Sequence, residues 1–161
     1  MYRKRAINED LTQFSNQNFP YISPCSFSYR YQAIIGIGGN QGDTKRRFEK
    51  LFYFFKRSKQ LQLLRSSAIL KNPPFGYLNQ PFFYNAVMVI STNLQPKQLL
   101  RFLQSVEKRF RRKRSFKDAP RTLDLDILFF QNRTLQTKDL TIPHPGWKER
   151  ESVLIPLMEV V

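Results

Sequence analysis

Beyond residue 30 the sequence alternates between short apolar runs and longer amphipathic segments, and this order constrains the fold more than any other feature. Two segments have helical spacing: one runs from a capping Asp43 to Ser58, and the other begins at Pro96 and ends near Phe110. The apolar runs that predict strands are residues 33–38, 61–70, 83–92 and 122–130. The predicted order is therefore β-α-β-β-α-β, with a last short helix within residues 149–160.

That order is typical of an α+β protein with a ferredoxin-like sandwich, in which helices pack on an antiparallel sheet. A length of 161 residues suits one domain. Residues 1–30 show no clear periodicity, so we predict an N-terminal extension, flexible at its start, followed by a domain at residues 31–161. The aromatic stretch from Phe19 to Tyr31 is expected to lie against that domain.

The charge balance limits the partners of this chain. Twenty-seven Lys and Arg residues against 12 Asp and Glu give a net charge of +15, which favours an anionic ligand such as nucleic acid, a phosphate-rich cofactor or an acidic membrane. The single cysteine, Cys25, excludes a disulfide framework, and the single histidine, His144, excludes a multi-histidine zinc site. No apolar run has transmembrane length and no secretory signal is evident, so we expect a cytoplasmic protein.

Two aspartates alternate with apolar residues in the last predicted strand, Leu123-Asp124-Leu125-Asp126-Ile127. Alternate residues of a strand share a face, so both carboxylates point away from the core. At this spacing they can hold one or two hard cations, with water and phosphate oxygens as the other ligands. A solvated strand face is the alternative interpretation.

A cationic segment leads into this strand. Its basic residues are Lys108, Arg109, Arg111, Arg112, Lys113, Arg114, Lys117 and Arg121. Guanidinium groups suit phosphate oxygens, and phosphates together with magnesium would balance these cations beside a carboxylate pair. A solvated charge run or an RNA-binding patch is the alternative.

Three further segments carry weaker signals. The glycine-rich segment 36–43 lacks the third glycine of a dinucleotide fingerprint and the Gly-Lys-Ser/Thr of a Walker A loop, so we interpret it as a tight strand-to-helix turn. Phe83 offers a ring face and Asn85 an amide with donor and acceptor edges, which together suit a planar ligand, although core packing is the alternative. His144, between two prolines, suits a phosphate contact or is a plain surface histidine.

Together these motifs resemble the 6-hydroxymethyl-7,8-dihydropterin pyrophosphokinase family of folate biosynthesis. The most specific match is Ala119-Pro120-Arg121-Thr122-Leu123-Asp124-Leu125-Asp126-Ile127-Leu128, and segments 73–76, 79–81, 85–87 and 140–145 match in order and spacing. The resemblance implies the ferredoxin-like fold and transfer of pyrophosphate from ATP to the hydroxymethyl group of the pterin, with release of AMP. We therefore expect ATP and the dihydropterin as small-molecule partners, no nucleic acid, no membrane, and a monomer.

The resemblance also implies roles for individual residues. Asp124 and Asp126 match the ligands of two Mg²⁺ ions. The residues that match ATP-site positions are Gln104, Glu107, Arg112, Arg114, Arg121, Ile127, Thr141, His144 and Arg150, and those assigned a catalytic role are Arg112, Arg114 and Arg121. The residues that match the pterin pocket are Asn72, Pro73, Phe75, Phe83 and Asn85. The chain departs from the family at Arg111, where a glycine is usual, and at Ser152, where a second aromatic residue is expected.

Two other function classes compete with this interpretation. A ferredoxin-like RNA-binding module would carry an aromatic-rich strand motif that this sequence lacks, and its paired aspartates would repel RNA phosphate. A family member that has lost activity is disfavoured by the intact aspartate pair and Arg121.

Overall fold

The structure is a computed structural model, and it describes residues 1–25, 27–113 and 115–161. Its strands are β1 (Arg3–Ala6), β2 (Thr12–Ser15), β3 (Tyr21–Ile22), β4 (Tyr31–Gly39), β5 (Leu61–Ser66), β6 (Ile69–Asn72), β7 (Phe83–Thr92), β8 (Asp124–Phe130), β9 (Leu135–Gln136) and β10 (Thr141–Ile142). Its helices are α1 (Thr44–Arg57), α2 (Pro96–Arg109) and α3 (Glu151–Met158).

Eight of these strands form one antiparallel sheet. β4 lies at its centre, between β7 and β8, and both β5 and β6 pair with the other edge of β7. β9 and β10 form a separate two-stranded sheet. The prediction of an α+β fold with an antiparallel sheet is confirmed.

The strand predicted over residues 61–70 is wrong in one respect, because the structure divides it into β5 and β6. Between them, the Ser67 N–H donates to the Val87 carbonyl and the Ser67 hydroxyl accepts from the Val87 N–H, both at 2.9 Å. The Ala68 N–H donates to the Glu159 carboxylate at 2.9 Å. These contacts replace regular strand pairing for two residues, so the strand is interrupted.

The sheet buries residues on both faces. On one face α1 contributes Phe48, Leu51, Phe52 and Phe55, and α2 contributes Leu99, Leu103 and Val106, all packed against the main core. On the other face a smaller core lies beside α3 and includes Val87, Leu128 and Leu157. Leu125 and Ile127 belong to the main core, so the alternation of β8 places Asp124 and Asp126 on the α3 face.

Both main helices begin where the sequence predicts. The Asp43 carboxylate accepts from the Arg46 N–H at 3.2 Å and caps α1. Pro96 opens α2, and Gln95 and Gln98 form a reciprocal capping pair. In the described part of the chain, no helix combines the length and apolarity needed to span a membrane.

The N-terminal residues are more regular than predicted. β1 and β2 form a hairpin, and β2 extends the sheet by pairing with β6. Phe19 is fully buried against Phe48 and Phe52, so the prediction that this stretch lies against the domain is confirmed for Phe19. The start of the chain is paired in strands where a flexible start was predicted, because β2 has a distant partner, β6, that residues 1–30 do not reveal. The boundary at residue 30 stays a prediction.

Candidate active site

The pairing register of β4 with β7 and β8 brings the candidate site residues together. Gly38 lies opposite Asn85 of β7 and opposite Asp124 of β8. Directly opposed residues of antiparallel strands project to the same face, so a candidate pterin residue and a candidate metal ligand flank one glycine. A Cβ on Gly38 would lie 2.7 Å from Asn85 Oδ1, and the absence of a side chain therefore leaves room for the Asn85 amide.

The glycine-rich segment is only partly the turn that the sequence predicts. Gly36, Gly38 and Gly39 lie in β4, and the turn follows them. Gly42 occupies the turn with φ +69°, where a residue with a side chain is strained. A Cβ on Gly39 would lie 2.6 Å from the Thr122 carbonyl oxygen, so this glycine allows the strand to approach the segment before β8.

A cluster of carboxylates and guanidinium groups stands at the start of β8. Arg112 Nη1 donates to Glu107 Oε2 and to Asp124 Oδ1, each at 2.5 Å. Arg121 Nη1 donates to Asp124 Oδ2 at 3.1 Å. Glu107, only 3% exposed, also accepts from the Leu125 N–H at 2.9 Å. Burial acts to raise the pKa of Asp124, but the charges of Arg112 and Arg121 outweigh it and lower that pKa.

Asp126 has a different environment. In residues 1–25, 27–113 and 115–161 no hydrogen-bond donor reaches its carboxylate. Burial, followed by the charges of Asp124 and Glu107, raises its pKa to about 8. A half-buried carboxylate beside a second carboxylate is an environment that a divalent cation stabilises.

The aspartate pair therefore fits Mg²⁺ in the chemistry of its donors. Its oxygen ligands are of the kind that a hard cation prefers. Among the described residues no group of three or more His, Cys, Asp or Glu side chains is placed to hold a metal. The remaining ligands would then come from water and phosphate, as Mg²⁺ commonly has at nucleotide sites.

Two cavities contain most of the predicted ATP-site residues. The first, of about 260 Å³, is lined by Ile127, Thr141 and His144 together with Asp126. The second, of about 420 Å³, is lined by Gln104, Glu107, Lys108 and Arg112. The structure thus groups the predicted residues around the aspartate pair.

His144 is held in one orientation. Its backbone N–H donates to the Leu128 carbonyl at 2.9 Å, and its Nδ1 accepts from the Gly146 N–H at 3.1 Å. Partial burial and the positive charge of Arg150 lower its pKa. The imidazole is therefore neutral at neutral pH.

The predicted pterin residues form a second group. Asn85 Nδ2 donates to Asn72 Oδ1 at 2.6 Å, and Asn72 Nδ2 donates to the Pro73 carbonyl at 2.9 Å. The Arg121 guanidinium lies 5.6 Å from the Phe83 ring centroid, so Arg121 contacts both groups.

Arg150 and Arg114 complete the predicted set. The Arg150 guanidinium lies 4.6 Å from the ring centroid of Phe75, a predicted pterin residue, while its charge acts on His144. Arg150 therefore lies between the nucleotide and pterin groups instead of within the nucleotide cavities. Arg114 lies outside the described residues.

Two loops beside the pterin group touch each other. The rings of Tyr77 and Phe116 pack edge to face with centroids 5.2 Å apart. Gln80 Nε2 donates to the Asp118 carbonyl at 2.9 Å. The loop before β7 and the basic loop before β8 therefore border the same space.

Asn40 is a site residue that sequence reasoning missed. It is buried, its Oδ1 accepts from the Arg121 N–H at 2.9 Å, and its Nδ2 donates to Gln80 Oε1 at 2.9 Å and to the Pro81 carbonyl at 3.0 Å. Asn40 thereby joins Arg121 to the loop before β7. The available signal was an amide side chain within a glycine-rich turn, which alone does not identify its distant partners.

Comparison with known proteins decides the family. Residues 34–161 match the model of the 7,8-dihydro-6-hydroxymethylpterin-pyrophosphokinase family. The chain belongs to this family. The resemblance seen in the sequence is thus confirmed, and the matched range includes both aspartates of the site and its three asparagines, Asn40, Asn72 and Asn85.

Individual pyrophosphokinases of this family are similar in sequence to this chain over most of their own length. A protein of Campylobacter jejuni named 2-amino-4-hydroxy-6-hydroxymethyldihydropteridine pyrophosphokinase is 45% identical over 86% of this chain and 88% of its own. Proteins of the same name are 40% identical in Helicobacter pylori, over 86% of both chains, and 35% identical in Bacillus subtilis, over 80% of this chain and 77% of its own.

Proposed function

We propose that this chain transfers the terminal pyrophosphoryl group of ATP to the hydroxymethyl oxygen of 6-hydroxymethyl-7,8-dihydropterin and releases AMP. Membership of a pyrophosphokinase family of folate biosynthesis supports the reaction type. The observation that carries the proposal is the row of Asp124, Gly38 and Asn85 across the sheet, with Arg121 in contact with Asp124 and Phe83. One arginine thus spans the two groups that would hold the two substrates.

The charges of the cluster support a nucleotide with its metal. Asp124 and Asp126 would hold Mg²⁺, which would supply charge neutralisation for the triphosphate. Arg112 and Arg121 now neutralise Asp124, and a cation there would free both guanidinium groups for phosphate oxygens. Buried Arg112 Nε has no hydrogen-bond partner among the described residues, so it remains available for an acceptor of this kind.

The remaining residues of the predicted ATP site would bind and orient the nucleotide. Gln104, Glu107, Ile127, Thr141 and His144 line the two cavities beside the cluster, which suits the base, ribose and phosphates of ATP. Arg150 and Arg114 complete the ATP set that the family resemblance implies. A neutral His144 contributes a hydrogen bond to this site without adding charge.

The pterin residues bind a flat, polar ring. Asn85 and Asn72 have amide groups that match the donor and acceptor edges of a pterin, and Phe83 and Phe75 offer ring faces, beside Pro73. Binding would bring the hydroxymethyl oxygen in line with the β-phosphorus. The new bond forms between these two atoms, the bond from the β-phosphorus to the oxygen of the leaving AMP breaks, and the hydroxyl proton passes to solvent.

The finer features of the fold belong to the same proposal. We assign the ferredoxin-like arrangement to the units from β4 to β8, with α1 and α2 on one face, and we expect a monomer in the cytoplasm. The antiparallel strand order and the shared core of the two helices support this assignment.

The test is product analysis by mass spectrometry with ATP, Mg²⁺ and the hydroxymethylpterin. We expect AMP and the pterin pyrophosphate in equal amounts. Asp126→Ala should abolish turnover and remain folded, whereas Asp10→Ala, which removes an exposed aspartate, should retain it. Absence of AMP from the folded wild-type protein would contradict the function, and a folded Asp126→Ala variant within about threefold of wild type would contradict the metal assignment.

A further inference from the structure

A basic groove lies in the helix layer, whereas Asp124, Asp126 and Asn85 lie on the other face of the sheet. It has a volume of about 1080 Å³ and runs between α1 and the end of α2. Its lining residues are Asp43, Arg46, Arg47, Lys50, Tyr53, Phe54, Arg57, Ser58, Arg109, Phe110, Arg111 and Thr122. None of these residues is assigned to the proposed pyrophosphokinase reaction.

The groove concentrates positive charge. Six of its lining residues are Arg or Lys and one is acidic, Asp43, which caps α1. In the part of the chain that the structure describes, none of the six cations forms an ion pair. On α1, Lys50 follows Arg46 by four residues and Arg47 by three, and Arg57 follows Lys50 by seven, which is two turns, so these cations share one side of the helix. Such a row of unpaired cations repels itself unless an anion lies along it.

Arg111 adds a cation where the backbone favours glycine. The Arg111 N–H donates to the Lys108 carbonyl at 2.9 Å and the Arg112 N–H to the Glu107 carbonyl at 3.0 Å, which is a Schellman ending of α2. This ending places Arg111 at φ +63°, a left-handed conformation that costs an arginine stability. The helix ending does not need a charged side chain at this position, and the Arg111 side chain instead adds positive charge to the lining of the groove.

Two other cations of the groove are held in place before any ligand arrives. Arg47 Nη1 donates to the Gln41 carbonyl at 2.6 Å and to the Thr122 carbonyl at 3.0 Å. The Arg109 guanidinium lies 5.0 Å from the Phe54 ring centroid. Such preorganisation lowers the entropic cost of binding an anion.

We propose that this groove binds a short single-stranded nucleic acid. A concave groove suits a flexible polyanion better than a flat membrane surface does, and guanidinium groups match phosphate oxygens. Tyr53, which is 43% exposed, lies between Lys50 and Arg57 on α1 and offers a ring on which a base can stack. The expectation of no nucleic-acid partner rests on a missing strand motif and on repulsion by Asp124 and Asp126, whereas this groove is formed by helices and neither aspartate lines it.

The test is fluorescence anisotropy with a labelled oligouridylate at several salt concentrations. The full-length protein should bind the oligonucleotide, with affinity that falls as salt rises. The double variant Lys50→Gln/Arg57→Gln should lose about tenfold in affinity. The matched control Lys97→Gln/Arg101→Gln removes two exposed cations of α2 outside the groove and should lose less than about twofold. Both double variants should still form AMP from ATP. A wild-type protein that forms no AMP would therefore contradict the proposed pyrophosphokinase function and would not bear on oligonucleotide binding.

The variant Arg111→Gly distinguishes an effect on oligonucleotide binding from an effect on the stability of the fold. It should raise the melting temperature, because glycine relieves the left-handed strain, and yet weaken oligonucleotide binding. The proposal is overturned if both double variants lose affinity equally, if a non-hydrolysable ATP analogue displaces the oligonucleotide, or if inorganic polyphosphate or polyglutamate binds as tightly. The last outcome would show that the groove responds to charge alone.

Discussion

Arg112 has an unusual set of contacts for a single residue. It bridges buried Glu107 and the candidate metal ligand Asp124, and both carboxylates raise its own pKa against the effect of burial. Its Nε has no hydrogen-bond partner among the described residues. A residue with this surplus of donors suits a ligand rich in acceptor oxygens.

Arg112→Ala should therefore lower kcat more than it weakens ATP binding. A guanidinium that moves from Asp124 to phosphate acts chiefly on the transition state, and we expect a loss of about 100-fold in kcat. Steady-state kinetics and calorimetry with a non-hydrolysable ATP analogue measure the two effects. Lys113→Ala, at an exposed neighbour, is the control. A loss confined to ATP affinity would contradict the assignment.

His144 should make stability depend on pH. Its pKa is lowered in the folded protein, so on acidification the unfolded chain takes up the proton first. The contribution of neutral His144 to the free energy of unfolding is fully present above the ordinary histidine pKa, and it is lost as the pH falls below that value. His144→Gln lacks this loss, so the stability of wild type relative to the variant should decline from pH 7.5 towards pH 5 in thermal melts. A constant difference across that range would contradict the lowered pKa.

At the level of elements, the pairing of β4 with both neighbours determines the pocket. Gly36 and Gly38 both project towards the site face, but what lies above them differs. A Cβ on Gly38 would press on Asn85 Oδ1, whereas a Cβ on Gly36 would meet the Leu128 side chain at 3.4 Å. The two glycines therefore form a matched pair for substitution.

Gly38→Ala should weaken pterin binding by about tenfold, because the displaced Asn85 amide loses its aligned hydrogen bonds. Gly36→Ala should change pterin binding little, since its added methyl makes nearly ordinary contact. Calorimetry with the pterin and a non-hydrolysable ATP analogue measures both variants. Equal effects of the two substitutions would show that Asn85 is not the reason for the glycine.

At the scale of the whole molecule, the N-terminal residues are bound to several distant parts of the chain. Glu49 of α1 accepts hydrogen bonds from Tyr2, Asn16 and Asn18. Gln13 Nε2 donates to the Glu159 carboxylate near the C-terminus at 2.8 Å, and β2 adds to β6. These contacts stabilise the fold, and none of them involves a predicted site residue.

Removal of residues 1–30 should lower stability and leave turnover largely unchanged below the melting temperature. Loss of the buried Phe19 ring alone costs about 3–5 kcal/mol. Thermal melts and AMP formation at low temperature measure the two effects. A truncated chain that still melts cooperatively but does not turn over would show that the N-terminal segment acts on the active site, and the boundary at residue 30 would be wrong.

The sequence by itself determined the features that depend on neighbouring residues. The apolar spacing and caps of α1 and α2, and the shared face of Asp124 and Asp126, follow from periodicities of 3.6 and 2 residues. The motif around Arg121 is local as well, and together with segments 73–76, 79–81, 85–87 and 140–145 it indicates the family. These features form in the same way wherever the segment lies in the fold.

Only the tertiary structure decided which distant residues meet. The pairing of β2 with β6, the interruption at Ser67, the contacts of Asn40 and the room above Gly38 all depend on partners far away in sequence. The basic groove likewise exists only because the side of α1 faces the end of α2. Strand register and helix packing set these contacts, and both result from burial of the whole core, so no local pattern of residues specifies them.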